Sequence, residues 1–426
     1  MTSPVWHPFT QHGLEEAIPR IVRAEGALLH TDDGRALVDG ISSWWVTTHG
    51  HCEPRIAAAI AAQAGQLDQM IFAGYTHDPA EAVARGLVDL APRGADSDRR
   101  LTHVFFSDSG STAVEVALKM AIGYWHNSGA PRHRILVLDH SYHGDTIGAM
   151  SVGERGVFTR AYTPLLFDVG VIPCPGPGTE QATLDALEVA CRAEGDEAPA
   201  AFIVEPLVLG SGGMLMYGAD TLRAMADICA RHGVLFIADE VMTGWGRTGT
   251  VFACEQADVV PDILCVAKGI TGGSLPLAAT LATAPIFDAH YATDRSRMFF
   301  HSSSYTANPI ACAAAVANLA IWQEEDVTGR IARLSAAMAE RLTEVARHPA
   351  LENPRQTGVI AAVDLRARDA GYMSDLAPRL RAFFLERDLL LRPLGNTIYV
   401  MPPYCTDTAQ LSRIFAAIGE AAEAFA

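Results

Sequence analysis

No stretch of this chain stays apolar for the roughly 20 residues that a membrane helix needs. The longest runs, such as Val234 to Ala238, are far shorter, which excludes a helical membrane protein. Basic residues are scarce as well: 32 Lys and Arg face 49 Asp and Glu, a formal charge of −17, and no basic run interrupts the acidic background. Such a chain repels a phosphate backbone, so nucleic acid is not an expected partner. The eight cysteines (52, 174, 191, 229, 254, 265, 312, 405) form no C-x-x-C pair, which favours buried reduced thiols over metal ligands. His49-Gly-His51 lacks a third ligand at metal spacing, and no metal is expected. The start, Met1-Thr-Ser-Pro-Val-Trp-His-Pro-Phe9, has neither a basic n-region nor an apolar h-region, so the expected location is cytoplasmic.

What is present suits a large domain carrying a smaller one: 426 residues, 49% apolar and 19% charged. Short apolar runs alternate with helix-period segments at Thr102 to Phe106, Arg134 to Leu138, Ala201 to Val204, Val234 to Ala238 and Ile263 to Ala267. This alternation predicts an α/β fold with a mostly parallel central sheet. Each run is followed by polar residues or glycine, and open parallel sheets bind ligands at the carboxyl ends of their strands. The chemistry is therefore expected along one edge. A helix is predicted over Thr112 to Trp125 with Glu115 and Lys119 as an i,i+4 pair, and Pro92 to Asp98 and Pro173 to Gly178 read as turn-rich connectors. Strands at Leu389 to Arg392 and Thr397 to Met401 precede a last helix, Thr408 to Phe425. We expect residues 46–307 to form the large domain, and residues 1–45 with 308–426 to form the smaller α+β domain.

Lys268 follows the run Pro261-Asp-Ile-Leu-Cys-Val-Ala and precedes Gly269, Gly272 and Gly273, a placement that suits a Schiff-base lysine. Upstream, Asp239 ends the run Gly233-Val-Leu-Phe-Ile-Ala in the equivalent way. One chain thus offers an amine for an aldehyde and an acid for a ring nitrogen, the two groups that pyridoxal phosphate needs. Ser109-Gly110-Ser111 at a helix start offers amides and a hydroxyl to an anion; an ordinary N-cap is the alternative. Tyr142 after a strand end can lie on a flat ring or simply pack. Arg392-Pro393 can clamp a carboxylate or be a surface arginine. Trp44, Trp45 and Phe9 can wall an apolar tunnel or belong to the core.

The segment Asp239-Glu-Val-Met-Thr-Gly244-Trp-Gly246-Arg247-Thr-Gly249, with Asp262 to Lys268 after it, closely resembles the signature of class III pyridoxal-phosphate aminotransferases. Trp6 to Thr10, Ser42-Ser-Trp-Trp45, Phe106 to Ser111, Tyr142-His-Gly-Asp-Thr146, Gly210 to Gly213, Arg392-Pro-Leu-Gly395 and Tyr399 to Tyr404 look like the branch of that class that serves biotin synthesis. The resemblance implies a fold type I transferase using pyridoxal 5'-phosphate, with Lys268 as the covalent and proton-transfer lysine and Asp239 as the partner of the pyridine nitrogen. It implies Gly110 and Ser111 at the phosphate, Tyr142 on the ring and Asp145 near the amino donor. Arg392 would hold the carboxylate of 8-amino-7-oxononanoate, with Trp44, Trp45 and Tyr399 around its chain. S-adenosylmethionine is the implied donor, and a homodimer is implied because each site borrows from its neighbour. Two positions depart from the branch. Phe9 stands where a tyrosine is usual, and His301-Ser-Ser-Ser-Tyr305 replaces His-Gly-Pro-Thr-Phe, keeping a hydroxyl at Ser304 for the neighbouring phosphate. A Ser-Tyr-Thr version like Ser304-Tyr305-Thr306 occurs in relatives that use lysine as donor, which leaves lysine as the competing donor. An ω-aminotransferase for a different amine and keto acid would share every cofactor residue, as would an aminomutase. A silent cofactor-binding regulator is opposed by the absence of a basic helix-turn-helix candidate.

Overall fold

The computed structural model describes residues 3–14, 18–94, 99–367 and 371–425. Three strands open the chain, β1 (Ile21–Glu25), β2 (Leu28–Thr31) and β3 (Ala36–Asp39). The middle supplies β4 (Leu101–Ser107), β5 (Arg134–Leu138), β6 (Gly170–Ile172), β7 (Pro199–Val204), a short hairpin of β8 (Val208–Leu209) and β9 (Leu215–Met216), then β10 (Leu235–Asp239), β11 (Ile263–Val266) and β12 (Ala278–Thr283). The tail adds β13 (Leu351–Thr357), β14 (Ile360–Leu365), β15 (Leu389–Leu390) and β16 (Thr397–Val400), and the last helix spans Thr408–Phe425.

Seven strands form the central sheet in the order β4-β12-β11-β10-β7-β5-β6. The protein is thus α/β, with every pairing parallel except those of β12, which runs antiparallel to β11 and β4. All five apolar runs become strands of this sheet. They read as continuous apolar runs because both faces are covered. Ile135, Val137, Ile203, Ile237 and Cys265 enter one core, and Leu136, Leu138, Phe202, Phe236 and Leu264 enter the other. The period of two along each strand divides neighbours between the two sides. Strands β6 and β12 carry no such run. Ala278-Ala-Thr-Leu-Ala-Thr283 has few large side chains, yet it is buried throughout because helix Gly110–Asn127 lies close above it, and Thr280 Oγ1 donates to the Ala113 carbonyl at 2.8 Å.

That helix begins two residues earlier than expected and ends two later, and its Glu115 and Lys119 do not pair. Glu115 instead accepts from Thr146 Oγ1, Gly148 N and Ala149 N, and Lys119 donates to the Phe300 carbonyl. Helix-terminal amides left without partners attract the carboxylate more strongly than an exposed lysine does. Of the two connectors, Pro173 to Gly178 is an irregular segment that enters a turn at residues 177–179, whereas residues 95–98 of the other lie outside the described residues. At the chain ends, β15 pairs in parallel with β3, while β13, β14 and β16 make a separate antiparallel sheet. Among the described residues no helix is long and apolar enough to cross a membrane.

One brace ties the tail to the central sheet. Asn318, on helix Pro309–Glu324, donates to the carbonyls of Gly269 and Ile270 at 3.0 Å each and shares a 2.8 Å bond with His49 Nε2. The neighbouring His51 bonds Asp39, so the two histidines of the His-Gly-His triplet serve separate partners. Burial holds the His49 imidazole down at about 4, against an ordinary 6.5. Between those values the unfolded chain binds the extra proton, and acid favours unfolding there. Glu205 and Glu240, pushed up to about 7 by burial, act in the opposite sense, because the folded chain takes their protons first as pH falls. His49→Gln keeps a donor for Asn318 and isolates the histidine. Its unfolding free energy relative to wild type should rise by roughly 2–3 kcal/mol from pH 7 to pH 4.5 in urea titrations; a constant difference would mean that His49 does not remain neutral.

Candidate active site

Three adjacent parallel strands end at one place. Glu205 follows β7, Asp239 ends β10, and Lys268 follows β11. The next strand, β5, leads to Tyr142 and His143, and β4 leads through Ser107 to the amino end of helix Gly110–Asn127. Together these residues line a cavity of about 410 Å³ that holds Gly110, Ser111, Tyr142, His143, Asp239 and Lys268. This is the carboxyl edge that the strand pattern points to.

The amine of Lys268 faces that cavity from a turn of unusual backbone, φ 46°. Burial lowers its pKa to about 8, against the upward pull of Asp239 and Glu205, so an appreciable neutral fraction exists near pH 7. Asp239 Oδ2 lies 2.7 Å from His143 Nδ1, and its Oδ1 accepts from Val241 N at 3.1 Å. Both side chains are buried, and His143 Nε2 finds no partner among the described residues. Glu205 accepts from Tyr142 N at 2.9 Å and Gly210 N at 3.0 Å, which fixes the backbone that carries the tyrosine. Desolvation raises the Tyr142 phenol above its ordinary range, with Asp145 adding to the effect. At the helix start Ser109 Oγ takes the Thr112 amide and Ala113 N makes the first in-helix bond; the amides of Gly110 and Ser111 lie ahead of both. Gly144, at φ 131°, permits the close approach of Ser111, whose Oγ would lie 2.1 Å from an added Cβ. An amine, a buried carboxylate, a phenol ring and a helix amino end around one cavity suit a flat phosphorylated aldehyde.

A second chamber of about 340 Å³ opens from the same lysine and shares Trp45, Tyr142 and Lys268 with the first. Its walls include Phe9, Trp44, Asp145, Arg392 and Tyr399. Trp45 is buried and donates from Nε1 to the Tyr399 hydroxyl at 2.9 Å, whereas Trp44 is 40% exposed. The Arg392 guanidinium lies 5.2 Å from the Trp44 ring centroid and donates to the Phe9 carbonyl. Every sequence-derived candidate therefore borders one of the two chambers except Ser304. That serine is on an exposed loop, where its carbonyl accepts from Gln69 and its neighbour Ser303 bonds Asp108.

The profile of the class III aminotransferase family matches residues 10–422. The chain is a class III aminotransferase. It is 47% identical over 421 residues to the adenosylmethionine-8-amino-7-oxononanoate aminotransferase of Synechococcus elongatus, covering 98% of this chain and 97% of that one. The enzyme of the same name from Geobacter sulfurreducens is 38% identical, with 94% and 91% covered. Among solved structures, the adenosylmethionine-8-amino-7-oxononanoate aminotransferase of Methanocaldococcus jannaschii superposes with a TM-score of 0.93 at 32% identity, covering 99% of this chain and 97% of that one. A PLP-bound amine transaminase from an uncultivated Pseudomonas species gives 0.92 at 33%, with both chains fully covered.

Sequence reading leaves several residues of this aminotransferase site without a role. Glu205 carries the same signal as Asp239, a carboxylate straight after an apolar strand. For His143 and Arg247 no local signal distinguishes the buried from the exposed state. Composition does hold one clue: the chain has only two lysines, Lys119 and Lys268, which narrows the choice of amine. Arg247 is 1% exposed and donates to Ser42 Oγ at 3.0 Å, Thr47 O at 2.9 Å, Pro402 O at 3.3 Å and Trp45 O at 3.4 Å. It thereby holds a strained turn in which Ser42, Ser43 and Trp45 all have positive φ. Arg247→Lys cannot reproduce a planar fork of donors. It should lower the unfolding free energy by about 2–4 kcal/mol, read by denaturant titration, and should shift the emission of the Trp44–Trp45 pair; an unchanged midpoint would remove Arg247 as the anchor of that turn.

Proposed function

We propose that this aminotransferase binds pyridoxal 5'-phosphate in the inner cavity and moves an amino group from S-adenosylmethionine to 8-amino-7-oxononanoate, giving 7,8-diaminononanoate for biotin synthesis. The observation that carries this reading is the placement of Arg392 in an apolar, tryptophan-walled chamber that begins at the Lys268 amine. An unbranched chain with a carboxylate at one end and its reacting carbon at the other fits that layout. The names of the Synechococcus and Geobacter relatives agree with it.

When bound, the cofactor supplies an electron sink for the charge that develops at the carbon bearing the amine. Each residue has a distinct task. The amides of Gly110 and Ser111, at a helix amino end, would hold the phosphate. Tyr142 would pack on the ring, and Asp239, its carboxylate oriented by His143, would hold a proton at the ring nitrogen. Lys268, partly neutral because it is desolvated, would hold the cofactor through its aldehyde and would serve as the base that takes and returns the proton of the donor α-carbon. Trp44, Trp45, Phe9 and Tyr399 exclude water along the substrate chain, and Asp145 lies on the donor side.

The active assembly in this reading is a homodimer, supported by the location of Ser304 on an exposed loop outside the lining of its own cavity, where its hydroxyl suits a neighbour's phosphate. Eight free cysteines suit a reducing, cytoplasmic setting. A second reading, an ω-aminotransferase, is favoured by the near-equal likeness to the Pseudomonas amine transaminase, and substrate assays separate the two.

Lys268→Ala should fold and bind the cofactor but show no borohydride-fixed label. In wild type the label should map to Lys268; finding it on Lys119 would overturn the assignment. Arg392→Ala should lower kcat/KM for the keto acid by about 2–5 kcal/mol while leaving the donor half-reaction nearly unchanged. Equal losses in both halves, in single-turnover spectra, would give Arg392 a structural role instead. S-adenosylmethionine should convert the enzyme to its pyridoxamine form and lysine should do so poorly; the reverse order would replace the donor.

A further inference from the structure

Besides its tryptophans, Phe9, Tyr142 and Tyr399, the outer chamber has two further aromatic walls. Phe158, in the turn before the 3-10 helix Arg160–Leu165, and Tyr372, in the turn before helix Leu376–Leu385, both line it. Their rings meet edge to face at 4.6 Å, Phe158 meets Phe9 at 6.0 Å, and Phe9 meets Trp44 at 5.7 Å, each in the same edge-on manner. The row is built rather than incidental. Arg155 holds the Phe158 loop by donating to the carbonyls of Ser151 at 3.0 Å and Phe167 at 2.7 Å. Even so, Phe9 and Phe158 are each 47% exposed. Apolar rings gathered at a cavity mouth and left wet are a binding surface by default.

The acceptor does not account for this surface, because an unbranched chain with a carboxylate needs Arg392 and the tryptophans. Both substrates of a two-stage amino transfer use one chamber in turn. The donor must place its α-amine at Lys268 and carry the rest of its bulk outward. Each edge-to-face contact covers one face of one ring and leaves the opposite face clear of that partner, and a heterocyclic base stacks well on a free face. Asp145, the single carboxylate among the residues lining this chamber, adds attraction for a sulfonium.

We infer that Phe158 and Tyr372 form the seat of the donor's purine and select an adenosyl-bearing donor over a plain amino acid. This rests on S-adenosylmethionine being the donor. The test uses the holoenzyme, the variants Phe158→Ala, Tyr372→Ala and Tyr372→Phe, and the probe 5′-methylthioadenosine, which has the purine but no α-amine. In calorimetry both alanine variants should bind the probe roughly 5- to 100-fold more weakly than wild type, the span expected for loss of a stacked ring, and Tyr372→Phe should bind it as wild type does. The S-adenosylmethionine half-reaction should fall in parallel. Half-reactions with S-methylmethionine, a sulfonium amino acid without a base, and with the keto acid should stay within about twofold, since neither presents a base to stack. Equal losses with S-methylmethionine would make the rings structural, and unchanged probe binding would place the purine elsewhere; either result overturns the inference. If wild-type enzyme leaves S-adenosylmethionine unconverted, the donor assignment itself fails. If it converts S-adenosylmethionine and the alanine variants still bind the probe normally, only the ring assignment fails.

Discussion

A guanidinium removed from water is tolerable only if its N–H groups find acceptors, and in this protein the buried one decides how distant segments meet. Arg247 belongs to the loop that follows Asp239, yet its acceptors lie in the turn Ser42–Thr47 and at Pro402 near the carboxyl end. All of them are neutral oxygens, so the charge is solvated by backbone and hydroxyl dipoles instead of being cancelled. One side chain thereby touches the amino-terminal turn, the loop after β10 and the tail together. Beside it Gly246, at φ 91°, lets helix Val327–Val345 come close, since an added Cβ would meet Ile331 at 2.4 Å.

The carboxyl edge of the central sheet gathers charge that water cannot fully screen. Glu205, Asp239 and Lys268 come from neighbouring strand ends, and burial moves Glu205 up to about 7 and Lys268 down to about 8. Desolvation favours the neutral form of each group, and it does so in opposite directions for an acid and an amine. The sheet thus sets acid–base character by position as well as by residue type. A lysine at a solvated surface would stay protonated at neutral pH; at this strand end it does not entirely.

Which elements the sequence announces depends on which forces are local. Strands β5, β7, β10 and β11 are legible because burial on both faces demands unbroken apolar runs, and the last helix shows its bounds Thr408–Phe425 because its apolar period is complete. Strand β12 is not, since alanine and threonine enter a sheet only when a helix packs close above them, which is a tertiary fact. The same division holds in the site. Lys268 and Asp239 show themselves by ending apolar runs, and Tyr142 and Ser111 by following strand ends. The bond between His143 and Asp239, the brace from Glu205 to Tyr142 and the row through Phe158 and Tyr372 join residues remote in sequence, and nothing in any one segment announces its partner. The i,i+4 pairing of Glu115 with Lys119 fails for a related reason: a local rule loses to amides delivered from residues 146–149.

Trp44 and Trp45 are consecutive, yet each faces a different cation. The Lys268 amine lies 5.0 Å from the Trp45 ring and the Arg392 guanidinium 5.2 Å from the Trp44 ring. The positive φ values at Ser43 and Trp45 turn the two indoles apart. The dipeptide therefore acts as a ruler whose divisions are set by backbone torsion and not by the reach of flexible side chains. Replacing either indole with a smaller ring would alter the width of the passage but leave its graduation intact. Inserting or deleting a single residue in the turn would reset the length of the molecule it measures.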